Sequence, residues 1–330
     1  MPDEDLDDAV MRAAVSNDPS LAMLLVRRAA VRIAANELVD AAADLESASR
    51  LHAEAGATVD EARSRQALAT VQRTLGALPE AETNARRAIA IAPEKSPFIV
   101  AAHTELGETM LLTGRPKTAI EHYQAALTHG ASIGMIAVAK AALHRRMAIA
   151  HSIAGEHTAA ALEADEAALL YERAGDRTAA TRARIESATA LVEAGLGGAA
   201  TEAIQEARTS AGDNAGAQAE LDILEAARAL KEKDLDTALA LAQKARQHAL
   251  DGNALLPYVS SALVIAEMLE QKGDRVGAYE SLAVGWVTAA DKIGNDLAGT
   301  IFREPLRSQK ERWGDAEFDR VKATYYARPN

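Results

Sequence analysis

The chain has 330 residues, of which 48% are apolar and only 3% aromatic, and its formal net charge is −12. An acidic chain gives no general support for nucleic-acid binding, which relies on Lys and Arg to neutralise phosphates. Cysteine is absent, which excludes disulfides and thiolate chemistry. The sequence shows no signal peptide and no apolar stretch near the ~20 residues of a membrane helix. We therefore expect a cytoplasmic protein.

Residues 1–18 form an acidic leader, in which six acidic residues face a single basic residue, Arg12. Blocks of like charge are typical of solvated tails. We expect this leader to be flexible or weakly helical. Its carboxylates would then not be held firmly enough for metal binding or acid–base chemistry.

Residues 19–292 contain seven copies of one motif, which recurs every 38 to 41 residues. Each copy has a turn residue, and the seven turn residues are Asn36, Gly76, Gly114, Gly155, Gly195, Lys233 and Gly273. Five positions after each turn stands an alanine: Ala41, Ala81, Ala119, Ala160, Ala200, Ala238 and Ala278. Further small residues stand seven positions before the turn and twelve after it, Gly285 being the last.

Small residues at these positions predict pairs of antiparallel helices, A and B, whose backbones approach closely where they cross. Alanine is the strongest helix former, so the composition also favours an all-α protein. The predicted helices are 19–35 and 38–55, 58–75 and 78–92, 97–113 and 116–129, 132–154 and 157–174, 176–194 and 197–211, 214–232 and 235–251, and 254–272 and 274–292.

The three small-residue columns resemble the tetratricopeptide repeat (TPR) family over about residues 19–292. The family's aromatic position in helix B is matched by Tyr123, whereas its tryptophan position in helix A is lost. The repeat is longer than the family's usual 34 residues, which is similar to a long-helix subtype. The resemblance implies a right-handed superhelical solenoid whose A helices line a concave groove.

Residues 293–330 lie outside the repeat and are predicted to form C-terminal capping helices. Aromatic residues concentrate near this end, and four of them suit a cap over the last apolar face of a solenoid. Aromatic side chains are also common anchors at protein interfaces, so a partner site is the alternative. These four residues are Trp286, Phe302, Trp313 and Phe318.

The sequence shows no catalytic constellation. No two histidines stand three or four residues apart, and the HExxH pattern of zinc proteases is absent. The glycine cluster Gly195-Leu196-Gly197-Gly198 falls at a repeat turn between two helices, so we interpret it as a turn rather than a phosphate loop. We therefore predict no enzymatic activity, no metal and no cofactor.

The family resemblance implies that ligand-binding residues lie along the A helices. The implied positions are occupied by Arg63, Gln66, Thr70, Arg73, Thr104, Glu108, Arg145, Ile149, Arg182 and Thr189. Four of them are arginines, which bind carboxylates in a bidentate manner and would favour an acidic ligand. The alternative is that these arginines are simply exposed or paired with neighbouring glutamates.

The sequence thus predicts a non-catalytic scaffold or adaptor that holds a protein or peptide segment in its groove, without nucleic-acid or membrane partners. The alternative function is a regulatory sensor, whose superhelix changes shape when a signalling peptide or small ligand binds. The sequence does not identify the partner.

Overall fold

The computed structural model describes residues 6–328, which form 17 helices and no strand. The all-α prediction is therefore confirmed. The chain divides into two compact units, unit 1 (Met1–Gly175) and unit 2 (Asp176–Asn330). Residues 1–5, the most acidic part of the predicted leader, lie outside the described residues. Within the described residues, no helix combines the length and apolar character needed to cross a membrane.

Unit 1 contains a first helix followed by four antiparallel helix pairs. The helices are α1 (Leu6–Ser16), α2 (Leu21–Ala34), α3 (Leu38–Glu54), α4 (Thr58–Thr74), α5 (Leu78–Ile91), α6 (Pro97–Leu112), α7 (Pro116–Ser132), α8 (Ala137–Ile153) and α9 (His157–Arg173). One predicted boundary is wrong, because α7 continues to Ser132 and α8 begins only at Ala137. Gly134, with a φ of 72°, makes the turn between them.

Unit 2 contains four helix pairs, one more than the repeat predicts for this part of the chain. They are α10 (Arg177–Glu193), α11 (Gly197–Ala211), α12 (Ala215–Lys231), α13 (Leu235–Asp251), α14 (Leu255–Gln271), α15 (Arg275–Ile293), α16 (Asn295–Trp313) and α17 (Asp315–Tyr326). The last two helices form the additional pair, and Gly314 at their turn follows Gly273 by 41 residues. Pro305 lies inside α16.

The small-residue columns lie in the core of each unit. The alanine that follows each turn is at most 1% exposed in all seven copies. Such side chains let the two helices of a pair approach closely, as the pattern predicts. Where glycine replaces alanine, an aromatic ring fills the space: Tyr123 packs against Gly107, and Phe302 packs against Gly285.

All seven predicted turn residues have a positive φ, including Lys233 at 64°. This left-handed conformation ends helix A and satisfies its last carbonyls. At Gly76, for example, the backbone N–H donates to the carbonyl of Arg73, and the next N–H donates to that of Gln72. A second series of positive φ values, at Gly56, Gly134, Gly175, Gly212, Asn253 and Gly294, ends the B helices.

We predict that Gly107→Ala destabilises the protein by about 1–3 kcal/mol, because the added methyl group would overlap the buried ring of Tyr123. The matched control is Gly198→Ala in α11, where an added methyl group meets nothing within 4 Å. This control is expected to raise stability by about 0.5 kcal/mol, since alanine favours the helix. Urea unfolding followed by circular dichroism measures both. Equal stability of the two variants would contradict the proposed packing.

Candidate functional site

Polar side chains from three successive A helices form a continuous surface in unit 1. The A helices are α4, α6 and α8. We define the helix-A surface as the side chains of Gln66, Thr70, Arg73, Thr104, Glu105, Glu108, Arg145, Arg146 and Ile149. Seven of the nine are among the residues predicted from the sequence. Glu105 and Arg146 were not predicted as binding residues.

Two ion pairs connect these helices. Arg73 Nε on α4 donates to Glu105 Oε2 on α6 at 2.8 Å. Arg146 Nε on α8 donates to Glu108 Oε1 on α6 at 2.6 Å. The middle helix thus supplies both carboxylates, and each neighbouring helix supplies one guanidinium. Each ion pair thus joins two neighbouring A helices through their side chains.

The surroundings shift the pKa of two groups at these pairs, Arg73 and Tyr123. Burial acts to lower the pKa of the Arg73 guanidinium, but its hydrogen bond and attraction to Glu105 outweigh burial, so that the pKa is raised. Tyr123 lies in the core close to Glu108, and its hydroxyl is buried without a hydrogen-bond partner among the described residues. Burial, reinforced by the carboxylate of Glu108, raises the pKa of Tyr123, so the phenol stays neutral.

Neutral and apolar side chains complete the helix-A surface. Gln66 Nε2 donates to Thr70 Oγ1 at 3.1 Å, and the Thr104 hydroxyl donates to the carbonyl of Val100 at 2.9 Å. Ile149 is 42% exposed beside the charged residues of α8. The surface therefore presents hydrogen-bonding groups, charges and an apolar contact on a rigid support.

Carboxylate partners lie beside Arg63, Arg73 and Arg182. Arg73 pairs with Glu105, Arg63 pairs with Asp60 one turn earlier on α4, and Arg182 on α10 pairs with Glu220 on α12. Pairing reduces the net positive charge available to a ligand. The acidic ligand therefore remains a prediction, with less electrostatic support than the sequence alone suggests.

The predicted residues in unit 2 are Arg182 and Thr189, both on α10. Arg182 borders a cavity of about 360 Å³, together with Thr181, Ser210 and Glu220. The Thr189 hydroxyl donates to the carbonyl of Ile185 at 2.7 Å. Arg182 thus adjoins a small polar cavity, whereas Thr189 bonds within its own helix.

The four C-terminal aromatic residues occupy different environments. Phe302 is fully buried in the core between α15 and α16. Trp313 is half-buried and donates from Nε1 to Glu270 Oε1 at 2.7 Å. Trp286 and Phe318 are also half-buried, and both line a cavity of about 450 Å³. Phe302 therefore contributes to packing, while the other rings remain partly accessible.

Residues 6–328 contain one cluster of histidines but no metal-binding cluster. In this part of the chain, no three His, Asp or Glu residues converge in a way that could hold a metal ion. His103, His122 and His129 do come together: the Nδ1 atoms of His103 and His122 are 3.2 Å apart, and the ring of His129 stacks on that of His103 with centroids 5.6 Å apart. The sequence separates these residues too widely to reveal the cluster.

Comparison with known proteins shows the fold. No protein-family model matches the chain, and no curated protein matches it. Among solved structures, the apo form of RapI is 16% identical, with 82% of this chain and 98% of that chain covered and a TM-score of 0.56. The apo form of the quorum sensor NprR from B. thuringiensis is 14% identical over 87% of this chain and 83% of its own, with a TM-score of 0.57.

A third similar structure is PH0952 from Pyrococcus horikoshii, a signal-transduction ATPase with numerous domains and a tetratricopeptide repeat sensor. It is 14% identical and has a TM-score of 0.62, with 90% of this chain and 45% of that chain covered. At these identities the likeness concerns the fold. The resemblance to the tetratricopeptide repeat is therefore confirmed as a shared helical-repeat fold.

The histidine cluster predicts a stability that depends on pH. Burial, with repulsion from His122 and His129, lowers the pKa of His103 from 6.5 to about 4. The unfolded chain therefore binds a proton at this position below pH 6.5, which the native state takes up only near pH 4. The contribution of His103 to stability is complete above pH 6.5 and is lost as the pH falls towards 4.

We expect this loss to be about 1–2 kcal/mol, after a reduction for the partial exposure of His103. The charged groups facing the cluster are Glu82, Arg86, Arg115 and Glu121, all close to His122. Urea unfolding of the wild type and of His103→Gln at pH 7 and pH 4.5 measures the effect. Between pH 7 and pH 4.5, His103→Gln should lose less stability than the wild type. Equal losses would contradict the assignment of this pH dependence to His103.

Proposed function

We propose that this protein is a non-catalytic scaffold that holds a peptide or protein segment on its helix-A surface. The observation that carries this proposal is the pair of cross-helix ion pairs, Arg73–Glu105 and Arg146–Glu108. They hold donors and acceptors in fixed positions on three rigid helices. Binding groups that are already ordered lose little entropy when a ligand arrives.

The chemistry of the helix-A surface suits an extended peptide. A peptide backbone offers alternating N–H donors and carbonyl acceptors, which Gln66, Thr70 and Thr104 can bind. Its charged side chains can extend the ion pairs, and an apolar side chain can pack on Ile149. Paired charges contribute more to selecting and orienting a partner than to raw affinity. The proposal therefore does not require an acidic partner.

Three further expectations belong to this proposal. Among the described residues no metal cluster is present, and the one hydroxyl that we find bonded to a histidine, Ser64 to His52 at 3.1 Å, is buried in the core, so the proposed role is binding rather than catalysis. The proposed partner is a protein or peptide rather than nucleic acid. The cytoplasmic location expected from the sequence stays a prediction.

The charge-swapped double variant Glu108→Arg with Arg146→Glu tests this proposal. The swap restores an ion pair between α6 and α8 but reverses its direction, so the fold is expected to persist. Partners captured by the wild type are identified first by mass spectrometry. Their affinity for the double variant is then measured by calorimetry. We expect a weakening of tenfold or more, which corresponds to at least about 1.4 kcal/mol.

The matched control is a second swap, Lys117→Glu with Glu156→Lys, at an ion pair between the first turn of α7 and the residue that precedes α9. This control should leave the affinity unchanged. Circular dichroism should show the same helix content and unfolding temperature for both swaps. If the swap between α6 and α8 preserves both folding and affinity, the helix-A surface is not the binding site.

A regulatory sensor is the second candidate function. It is supported by the fold shared with the quorum sensor NprR and with PH0952, which carries a tetratricopeptide repeat sensor. A stack of helix pairs joined by short turns can alter its dimensions through small changes at each turn. Both functions place the ligand on the same surface, and they differ in what binding does.

Small-angle X-ray scattering distinguishes the two candidates. Profiles are recorded with and without a partner peptide identified in the capture experiment. A static scaffold should keep its radius of gyration within experimental error after the contribution of the peptide is subtracted. A reproducible change in the maximum dimension of the protein would favour the sensor over the static scaffold.

A further inference from the structure

A cavity of about 490 Å³ lies between α14 and α16 in unit 2. This volume falls within the range of known small-ligand pockets. Leu263, Ala266, Leu282 and Pro305 provide its apolar walls. Gln309, in the last part of α16, lines the cavity with a hydrogen-bonding carboxamide. We refer to this cavity as the Gln309 pocket.

Gln309 is a buried polar side chain without a partner. It is 2% exposed and continues the core-facing stripe of α16 that contains Ala298 and Phe302. Its Oε1 atom is buried and accepts no hydrogen bond from any residue between 6 and 328. A buried amide oxygen without a hydrogen bond lowers the stability of the folded state. Gln309 also lines the cavity, so a ligand bound there would lie against this side chain.

Pro305 removes one backbone hydrogen bond from the same helix. A proline inside a helix has no N–H, so it cannot donate to the carbonyl four residues earlier, which belongs to Ile301. Pro305 lines the Gln309 pocket, and it is placed one turn before Gln309. The regular backbone hydrogen bonding of α16 is therefore interrupted at Pro305, on the side that faces the cavity.

The charges at the mouth of the pocket favour a cation. Glu267, Glu270 and Arg312 line it, which leaves an excess of one negative charge. Arg312 binds Glu270 in a bidentate manner, at 2.9 and 2.7 Å, and the carboxylate of Glu270 also accepts from Trp313. Glu267 is exposed, and it accepts a weaker bond from Gln271 at 3.3 Å. Glu267 is therefore the carboxylate open to a basic group.

We propose that the Gln309 pocket anchors a peptide through an apolar residue followed by a basic residue. The apolar side chain packs against Leu263, Leu282 and Pro305. A backbone amide of the peptide pairs with the Gln309 carboxamide, since each amide offers one donor and one acceptor. The basic side chain pairs with Glu267.

This inference rests on the proposed function, because it assigns a second peptide contact within the same type of surface. Leu263, Glu267 and Glu270 occupy on α14 the repeat positions that Gln66, Thr70 and Arg73 occupy on α4. In unit 2, however, α16 closes the surface on one side and converts it into a pocket. The pocket was not predicted from the sequence, because α16 lies outside the seven copies.

The probe for this proposal is N-acetyl-leucyl-lysine N-methylamide, which contains an apolar side chain, peptide amides and one basic group. It is titrated into the isotopically labelled full chain and followed by NMR. We expect saturable shifts of the side-chain amide of Gln309 and of the methyl groups of Leu263 and Leu282. The glutamate analogue of the probe should bind about fivefold more weakly, and added salt should reduce that difference.

The decisive variant is Gln309→Leu, which keeps the volume of the side chain and removes its amide. We expect it to weaken binding of the probe at least tenfold and to raise the unfolding temperature, because the unsatisfied amide is gone. Leu263→Phe, which fills the cavity but retains Gln309, should also weaken binding. The control Gln124→Leu, at an exposed glutamine on α7, should leave binding of the probe unchanged.

Three results would overturn the proposal: no saturable shift at the pocket, unchanged binding by Gln309→Leu, or a lower unfolding temperature of that variant. The last result would show that Gln309 stabilises the fold. Failure here is distinguishable from failure of the proposed function, because the charge swap between α6 and α8 tests a surface in unit 1. If the charge swap leaves partner affinity unchanged while the Gln309 pocket binds the probe, the helix-A surface is not the binding site and the pocket proposal still stands.

Discussion

Close contact between paired helices is the constraint on which the rest of the structure depends. An alanine at each crossing is almost completely buried, so each pair of backbones can approach to the distance that a methyl group allows. Two other small-residue positions hold glycine: Gly107, seven residues before its turn, and Gly285, twelve residues after its turn. An aromatic ring occupies the space at both. The space between the paired helices is thus filled in both cases, by a methyl group or by an aromatic ring. This regular spacing gives the polar residues of successive A helices a fixed separation across which ion pairs can form.

Much of the fold could be predicted because close packing and helix termination leave periodic signals in the sequence. The alanine columns indicate the crossings, and the glycine and asparagine turns indicate where A helices end. The last helix pair was predicted as capping helices and not as a further copy of the repeat, because Arg307 and Asp319 stand where the preceding copy has Ala266 and Ala278. The start of α8 was misplaced because Ser132, predicted to begin it, is the last residue of α7, and Gly134 makes the turn that follows.

The candidate site was less predictable, for a different physical reason. The family resemblance indicated which helix positions face a ligand, but it carried no information about partners between side chains. The glutamates that neutralise Arg73 and Arg182 lie 32 and 38 residues away, on the next A helix. Which carboxylate is within reach depends on the offset between helices and on side-chain rotamers. A row of arginines in sequence therefore overstates the positive charge of the folded surface.

Buried polar groups in this fold differ in whether neighbouring side chains satisfy them. Asp222 is fully buried at the position where the family has tryptophan, yet Arg208, Lys244 and His248 all bind it. A satisfied network of this kind replaces the missing ring and needs no ligand. Gln309 is buried to nearly the same extent and has no such network. The hydroxyl of Tyr123 is also buried without a partner, so an unsatisfied group does not by itself indicate a ligand. The proposal for Gln309 therefore depends equally on the cavity that this side chain lines.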